Sequence, residues 1–279
     1  MQSEKALRKM DRILINSLQN NQYIISRDLT SKRFIVDCKN LNKDIFIKLE
    51  ENVRANILII NIKDNNICFD LSDYASLSLA ILGKEEVKEI KIHADLGKYA
   101  EIDCYFADFI SNENKSVIEV NLNDEEAACA FHLASLASKK DNKSFDVSVF
   151  HNAKNTYCKL DNYGVCLDES KLTFSGICKI NNGCSGSKAH QNAKIMVFDE
   201  ACKGIAKPIL KIDENDIEAS HAAVVGKIND EHLFYLTSRG LSEAQAKELI
   251  TLGYLKPIVN GFDDDELKQE IESLIEGRM

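Results

Sequence analysis

Residues Asp216–Gly240 read DIEASHAAVVGKINDEHLFYLTSRG. A small and β-branched run through Val224-Val225 gives way to the polar turn around Asn229-Asp230. The aromatic stretch Leu233-Phe234-Tyr235-Leu236 follows and ends on Arg239-Gly240. Propensity and turn chemistry read this as strand, turn and strand. A helix opens at once behind it, because Ser242 with Gln245 three residues on makes a capping box. The segment is therefore the place where a β-rich body hands over to a helical end.

Working back from it, short β-rich segments recur from Tyr23 to Leu236. They are Arg33–Asp37, Asp44–Leu49, Ile57–Ile62, Ile67–Leu71, Leu77–Leu82, Ile90–Ala94, Ala100–Phe106, Val117–Leu122 and Phe145–Phe150. Thr173–Ile180, Ile195–Phe198, Ile209–Ile212 and Leu233–Leu236 continue the series. Polar clusters separate them every ten to twelve residues or so. That spacing suits a sandwich, a barrel or a β-helix. Hairpin dipeptides are scarce, Asn182-Gly183 standing alone between strands. Asparagines crowd the corners, where they tolerate left-handed backbone and can stack in ladders. Apolar residues alternate with polar ones, as a filled solenoid requires. These three features favour an all-β solenoid, a parallel β-helix, over residues 21–238. No clean repeat length appears, and Asp124–Ser138 reads equally as helix or strand.

The ends differ. Ala6, Leu7, Met10, Ile13, Leu14 and Leu18 fall near helical spacing, so residues 1–20 are expected to form a short N-terminal helix. Residues 239–279 form a helical segment, with Gly253 as a helix stop and a second helix opening in Asp263-Asp264-Asp265-Glu266. Leu267, Ile271, Leu274 and Ile275 give that helix an apolar stripe.

A net charge of −9 argues against a nucleic-acid partner, since phosphate binding needs a basic footprint. No apolar run is long enough to span a bilayer, and MQSEKALRKMDRILI lacks the apolar core of a secretory signal. Nine cysteines, an odd number, fit buried free thiols in a reducing cytoplasm better than disulfides. They contain no CxxC pair, so zinc and ferredoxin-type motifs are absent. Cys184, in a Gly-Cys-Ser-Gly turn, is the expected exposed thiol, and Cys166 and Cys178 the expected neighbours. No phosphate-cradling GxxxxGK[ST] loop occurs, and Gly183–Ser187 does not match a nucleophile elbow.

The order Ser220-His221, Val224-Val225-Gly226, then Leu233 to Gly240 resembles the signature of the SufB/SufD family of iron–sulfur cluster assembly scaffolds. Phe174-Ser175-Gly176-Ile177, His190-Gln191-Asn192 before Lys194–Phe198, and Lys207–Ile212 resemble further family stretches in the same order. The small residue Ala222 after His221, and Asn192 where the SufB branch has a cysteine, place the resemblance nearer the SufD branch. The resemblance implies a right-handed parallel β-helix with helical ends acting as a non-catalytic scaffold. It implies a SufC-like ATPase partner, and pairing with a SufB-like paralogue, or as a homodimer, through the C-terminal end of the solenoid. No cofactor is expected to be tightly bound; a transient iron–sulfur cluster would sit at the subunit interface.

His221 is the single candidate cofactor-binding and metal residue, because a neutral imidazole ligates iron. Read without the resemblance, a lone histidine on a strand is a structural or surface residue. Leu249, Leu252 and Tyr254 are candidate ATPase contacts, and removing Asp263–Met279 is expected to leave the β-core intact. Arg239 and Tyr235 are expected to brace the junction of solenoid and helices. Two other classes compete with the scaffold. A β-helix enzyme acting on a sugar or acidic substrate would need a carboxylate cluster in a groove on the solenoid side. A self-associating structural solenoid would give His221 no chemical role.

Overall fold

A computed structural model describes residues 12–15, 22–27, 33–41, 44–83, 88–110, 113–262 and 265–279. Among these residues every sheet pairing is parallel, and the chain alternates between two sheets. The first sheet holds β1 (Arg12–Ile15), β3 (Arg33–Asp37), β5 (Arg54–Ile60), β7 (Ser76–Leu82) and β9 (Glu101–Asp108). It continues through β11 (Ala128–Ala137), β13 (Tyr157–Cys166), β15 (Ser187–Val197) and β17 (Ile217–Lys227). The second holds β2 (Gln22–Ile25), β4 (Asp44–Leu49), β6 (Asn66–Leu71) and β8 (Glu89–Leu96). It ends with β10 (Glu113–Leu122), β12 (Asn142–His151), β14 (Lys171–Ile180) and β16 (Lys203–Ile212). Each coil thus gives one strand to each sheet, which makes a β-solenoid.

The coils lengthen along the axis. Arg12 pairs with Arg33, 21 residues on, whereas Lys171 pairs with Lys203, 32 residues on. A drifting coil length erases any fixed sequence period, although every coil stacks in register. Asp124–Ser138 resolves as strand β11, since its alternate residues Cys129, Phe131 and Leu133 enter the interior. β13 was not distinguished from its surroundings by sequence.

From the β4–β5 corner to the β14–β15 corner, each coil carries a residue in left-handed backbone. Asn52, Tyr74, Tyr99, Glu126 and Asn155 have φ between 53° and 62°, and Gly186 has φ 75°. Each donates its N–H to the next coil, as Tyr74 does to the Lys98 carbonyl at 2.8 Å. The position is set by that stacking and not by residue type, so asparagine marks only some corners. Where asparagines do align they ladder: Asn181 donates to Asn152, which donates to Asn123, which donates to Asp95.

Inward positions alternate strictly and fill the interior with Ile, Leu, Val, Phe and Cys. Phe106, Phe145 and Phe174 stack edge to face across successive coils at 5.9 and 5.8 Å. His151 is also fully buried and contacts the Thr156 hydroxyl at 2.7 Å. Burial depresses its pKa to about 4. A histidine with a lowered folded pKa stabilises the protein when neutral. That stability is present above the unfolded value near 6.5 and is lost as pH falls toward 4. An acid titration followed by circular dichroism should therefore show His151→Gln less sensitive than wild type between those values.

Three helices close the chain: α1 (Asp230–Ser238), α2 (Glu243–Val259) and α3 (Asp265–Glu276). Two expectations need correction. Leu233–Leu236 lies in α1 and is not a strand, because Asn229 caps a helix through the Glu231 N–H and Asp230 and Glu231 favour its first turn. The helical segment therefore starts before residue 239. At the other end, Arg12–Ile15 is strand β1 paired with β3, so the N-terminal helix is not present there; residues 1–11 and 16–21 lie outside the described residues. Its apolar spacing serves a strand whose Ile15 enters the core.

Ser242 and Gln245 form the reciprocal capping box. Gly253 does not end α2, which runs on to Val259 because Leu255, Ile258 and Val259 are buried. With Phe262 and with Leu267, Ile271 and Ile275 of α3 they form a second core. It covers the outer face of the first sheet over Leu82, Ala107, Phe109, Leu136 and Val165. Arg278 closes this cover by donating to Ser138 and Asp141 at the β11–β12 corner.

Candidate functional site

The first sheet ends on β17 and the second on β16, so among the described residues one edge of each strand has no neighbour. The inward register shows what this end exposes. One column runs Phe34, Ile57, Leu79, Cys104, Phe131, Leu160, Gln191 and His221. It is apolar until the last two coils, where it turns to an amide and then an imidazole. His221 thus belongs to the inward set of β17, on a coil that no other described strand covers, and it is exposed. Its inward neighbours Ile217 and Ala219, with Ala206, Leu210 and Ile212 of β16, remain only partly buried. At the opposite end Ile15 and Ile25 are 3% and 0% exposed.

Gln191 is named from sequence only within the stretch His190-Gln191-Asn192, with no role of its own. It is 5% exposed, and its Nε2 donates to the Ile209 carbonyl at 3.0 Å, tying β15 to β16 across the interior. Gly176 leaves room for it, since a Cβ there would come within 2.7 Å of its Oε1. On the outer face beside it, His190 Nδ1 meets Ser220 Oγ at 2.8 Å.

The two edges differ in chemistry. β16 carries Lys203, Lys207 and Lys211 and the N–H-less Pro208, features that blunt an edge. β17 has no charge from Ala219 to Gly226, and Val224 and Val225 are 54% and 45% exposed. A long uncharged edge of this kind is a template for another strand.

Among the described residues no three His, Cys, Asp or Glu side chains are grouped to hold a metal ion. His221 belongs to no such group. The described cysteines are free, and all but Cys68 are buried. Cys184 is buried, contrary to expectation, because its turn folds under and its thiol meets the His151 carbonyl. Cys178 touches Cys158, at 3.2 Å, and not Cys166.

A groove of about 510 Å³ on the solenoid side is lined by Glu51, Asp70, Asp73, Asp95 and Asp124. These carboxylates are committed to turns and ladders: Asp70 to Lys48, Asp73 to the Lys98 N–H, Asp124 to the Glu125 N–H, Glu51 to Asn52. At Asp95, burial is outweighed by hydrogen bonds from Asn121, His93 and Asn123, which lower its pKa. A general acid needs the opposite shift, so the groove lends the sugar- or acid-directed enzyme no support.

The helices also carry exposed apolar side chains. Phe234 and Tyr235 of α1 are 74% and 55% exposed, and Leu249 of α2 is 51% exposed. Arg239 stacks on Tyr235 at 5.1 Å, bracing α1 itself and not the solenoid junction. Leu252 and Tyr254 instead pack into the second core, where Tyr254 meets Tyr163 at 5.8 Å and burial pushes its hydroxyl pKa up to about 12.

Residues 35–254 match the family model described as SUF system FeS cluster assembly, SufBD core domain. The chain is 35% identical to the iron–sulfur cluster assembly protein SufD of Bacillus subtilis over 137 residues, covering 49% of this chain and 31% of that protein. It is 28% identical to SufB of the same organism over 123 residues, covering 44% and 26%. A SufBD family protein of Mycobacterium tuberculosis is 27% identical over 146 residues, covering 51% and 17%. The chain thus spans less than a third of the length of the curated relatives it matches. The family match runs from within β3 into α2, and on it the chain belongs to the SufBD core family of SUF iron–sulfur cluster assembly proteins.

Proposed function

We propose that this chain is a SufD-like, non-catalytic scaffold subunit that pairs through its open solenoid end and holds a nascent cluster, its cargo, in the seam. The observation that carries this reading is the position of His221, inward on the last coil with nothing above it. A second subunit adding strands to β17 would close the interior over the imidazole. The remaining ligands would then come from the partner, a SufB-like paralogue or a second copy. The self-associating structural solenoid uses the same edge and differs only in leaving His221 without chemistry. The free, buried thiols favour a reducing cytoplasm. No described helix is long and apolar enough to cross a membrane.

In this reading a SufC-like ATPase docks on Phe234, Tyr235 and Leu249, because an exposed aromatic–aliphatic patch with a stacked arginine is the composition of an interface hot spot. Phe234→Asp with Leu249→Asp should weaken ATPase binding about thirtyfold, the loss of one such hot spot, and leave the circular dichroism spectrum unchanged. Full affinity in that variant moves the docking surface elsewhere.

His221→Ala separates the scaffold from the structural solenoid. An exposed side chain contributes little to stability, so melting and subunit pairing should match wild type. Cluster recovered on reconstitution with a SufB-like partner, an ATPase and a sulfur donor should fall by about tenfold or more. Undiminished recovery leaves His221 a surface residue and removes the ligand role.

A further inference from the structure

Cys158 of β13 and Cys178 of β14 lie on opposite sheets, in consecutive strands, with their sulfurs 3.2 Å apart inside the solenoid. Both are fully buried. A disulfide needs the sulfurs at about 2.05 Å, so the two must approach by roughly a further ångström to form it. β13 is covered by β15 and β17, and β14 only by β16. The pair therefore sits just beneath the open end.

We propose that Cys158 and Cys178 form an oxidisable dithiol, which an oxidant of the peroxide class converts to a disulfide that bolts the two sheets together under the open end. The two thiols lose two electrons and two protons as the S–S bond forms. The peroxide O–O bond breaks and its oxygens leave as two water molecules. A dithiol reductant reverses the link by thiol–disulfide exchange. The contact with Cys178 and burial hold the Cys158 thiol well above its ordinary pKa. The attacking species is the thiolate, so reaction is slow in the closed protein and requires the last coils to open. Cys129 is in register with Cys158 on the neighbouring strand and is the competing partner. The inference needs neither His221 nor a second subunit, and its test runs on the isolated chain.

The experiment treats the full chain with hydrogen peroxide, blocks residual thiols under denaturing conditions and maps peptides by mass. The expected result is one Cys158–Cys178 link, with titratable thiols falling from nine to seven and recovering on reduction. Thermolysin should cleave the oxidised form within β14–β16 about tenfold more slowly than the reduced form, because the link suppresses local opening. Cys178→Ala should lose both effects. Oxidation of Cys158 to sulfinic acid without a link, a Cys129–Cys158 link, equal proteolysis of the two forms, or an unchanged peptide map in Cys178→Ala would each overturn the proposal. The wild-type map decides the bond even if the variant folds poorly.

Discussion

Removing residues 265–279 is expected to unfold or aggregate the protein, and not to trim an appendage. Leu267, Ile271 and Ile275 of α3 are 7%, 0% and 0% exposed and form one wall of the second core. Truncating one such residue to alanine costs about 2–5 kcal/mol, against a total stability of about 5–15 kcal/mol for a domain. Losing all three also uncovers Phe109, Leu136 and Val165 on the solenoid flank, and it frees Asp141 from Arg278. The milder Ile271→Ala should cost about 3 kcal/mol, read as a lower urea midpoint at unchanged slope. A truncated chain that melts at the wild-type midpoint would show that α3 merely rests on the solenoid. This reverses the expectation that the β-core outlasts the loss of Asp263–Met279. For the same reason, substitutions at Phe234 and Leu249 test ATPase docking more cleanly than a deletion.

The second large effect is expected at Lys143, an ammonium with no exposure inside the solenoid. Its Nζ lies 3.0 Å from Asp108 Oδ1, and Asn114 donates to the other carboxylate oxygen at 2.6 Å. Burial drives the Lys143 pKa down, although Asp108 opposes that shift. Lys143→Ala would strand the Asp108 charge and should cost about 3–5 kcal/mol. Lys143→Met paired with Asp108→Leu removes both charges and should restore most of that stability, since an apolar replacement of a buried pair is often neutral or better. Chemical denaturation of the two variants distinguishes them. Equal destabilisation in both would mean that shape, and not the unpaired charge, governs the site.

Much of the fold was legible because its causes are local. Alternation in Asp44–Leu49 and Arg33–Asp37 follows from a filled interior, and both segments are strands with those bounds. The capping box at Ser242 is a contact three residues long and needs no tertiary information. What failed was decided by a neighbouring cap or set at a distance. Leu233–Leu236 has strand propensity, but the Asn229 cap and the acidic first turn decide for helix. Residues 12–15 have helical spacing, and pairing with Arg33–Val36 overrides it. Gly253 is a helix breaker by type, yet the buried Leu255, Ile258 and Val259 carry α2 past it.

His221 could be named from sequence, but that it lies inward on an uncovered coil could not. That placement depends on register accumulated over every preceding coil. Gln191 and the Cys158–Cys178 contact were hidden for the same reason. The uncharged run Ala219–Gly226 marks an edge only once β17 is known to end its sheet.

Amide hydrogen exchange along β17, with and without a SufB-like partner, tests the central claim most directly. Alone, the Ile217–Lys227 edge has no neighbouring strand to protect its outward amides. If the second subunit adds to this edge, exchange there should slow by about a hundredfold or more on mixing, as new ladder hydrogen bonds form. The β1 and β2 end should not change. Protection at the β1–β2 end, or unaltered exchange across Ile217–Lys227 in a complex that has demonstrably formed, would contradict the account.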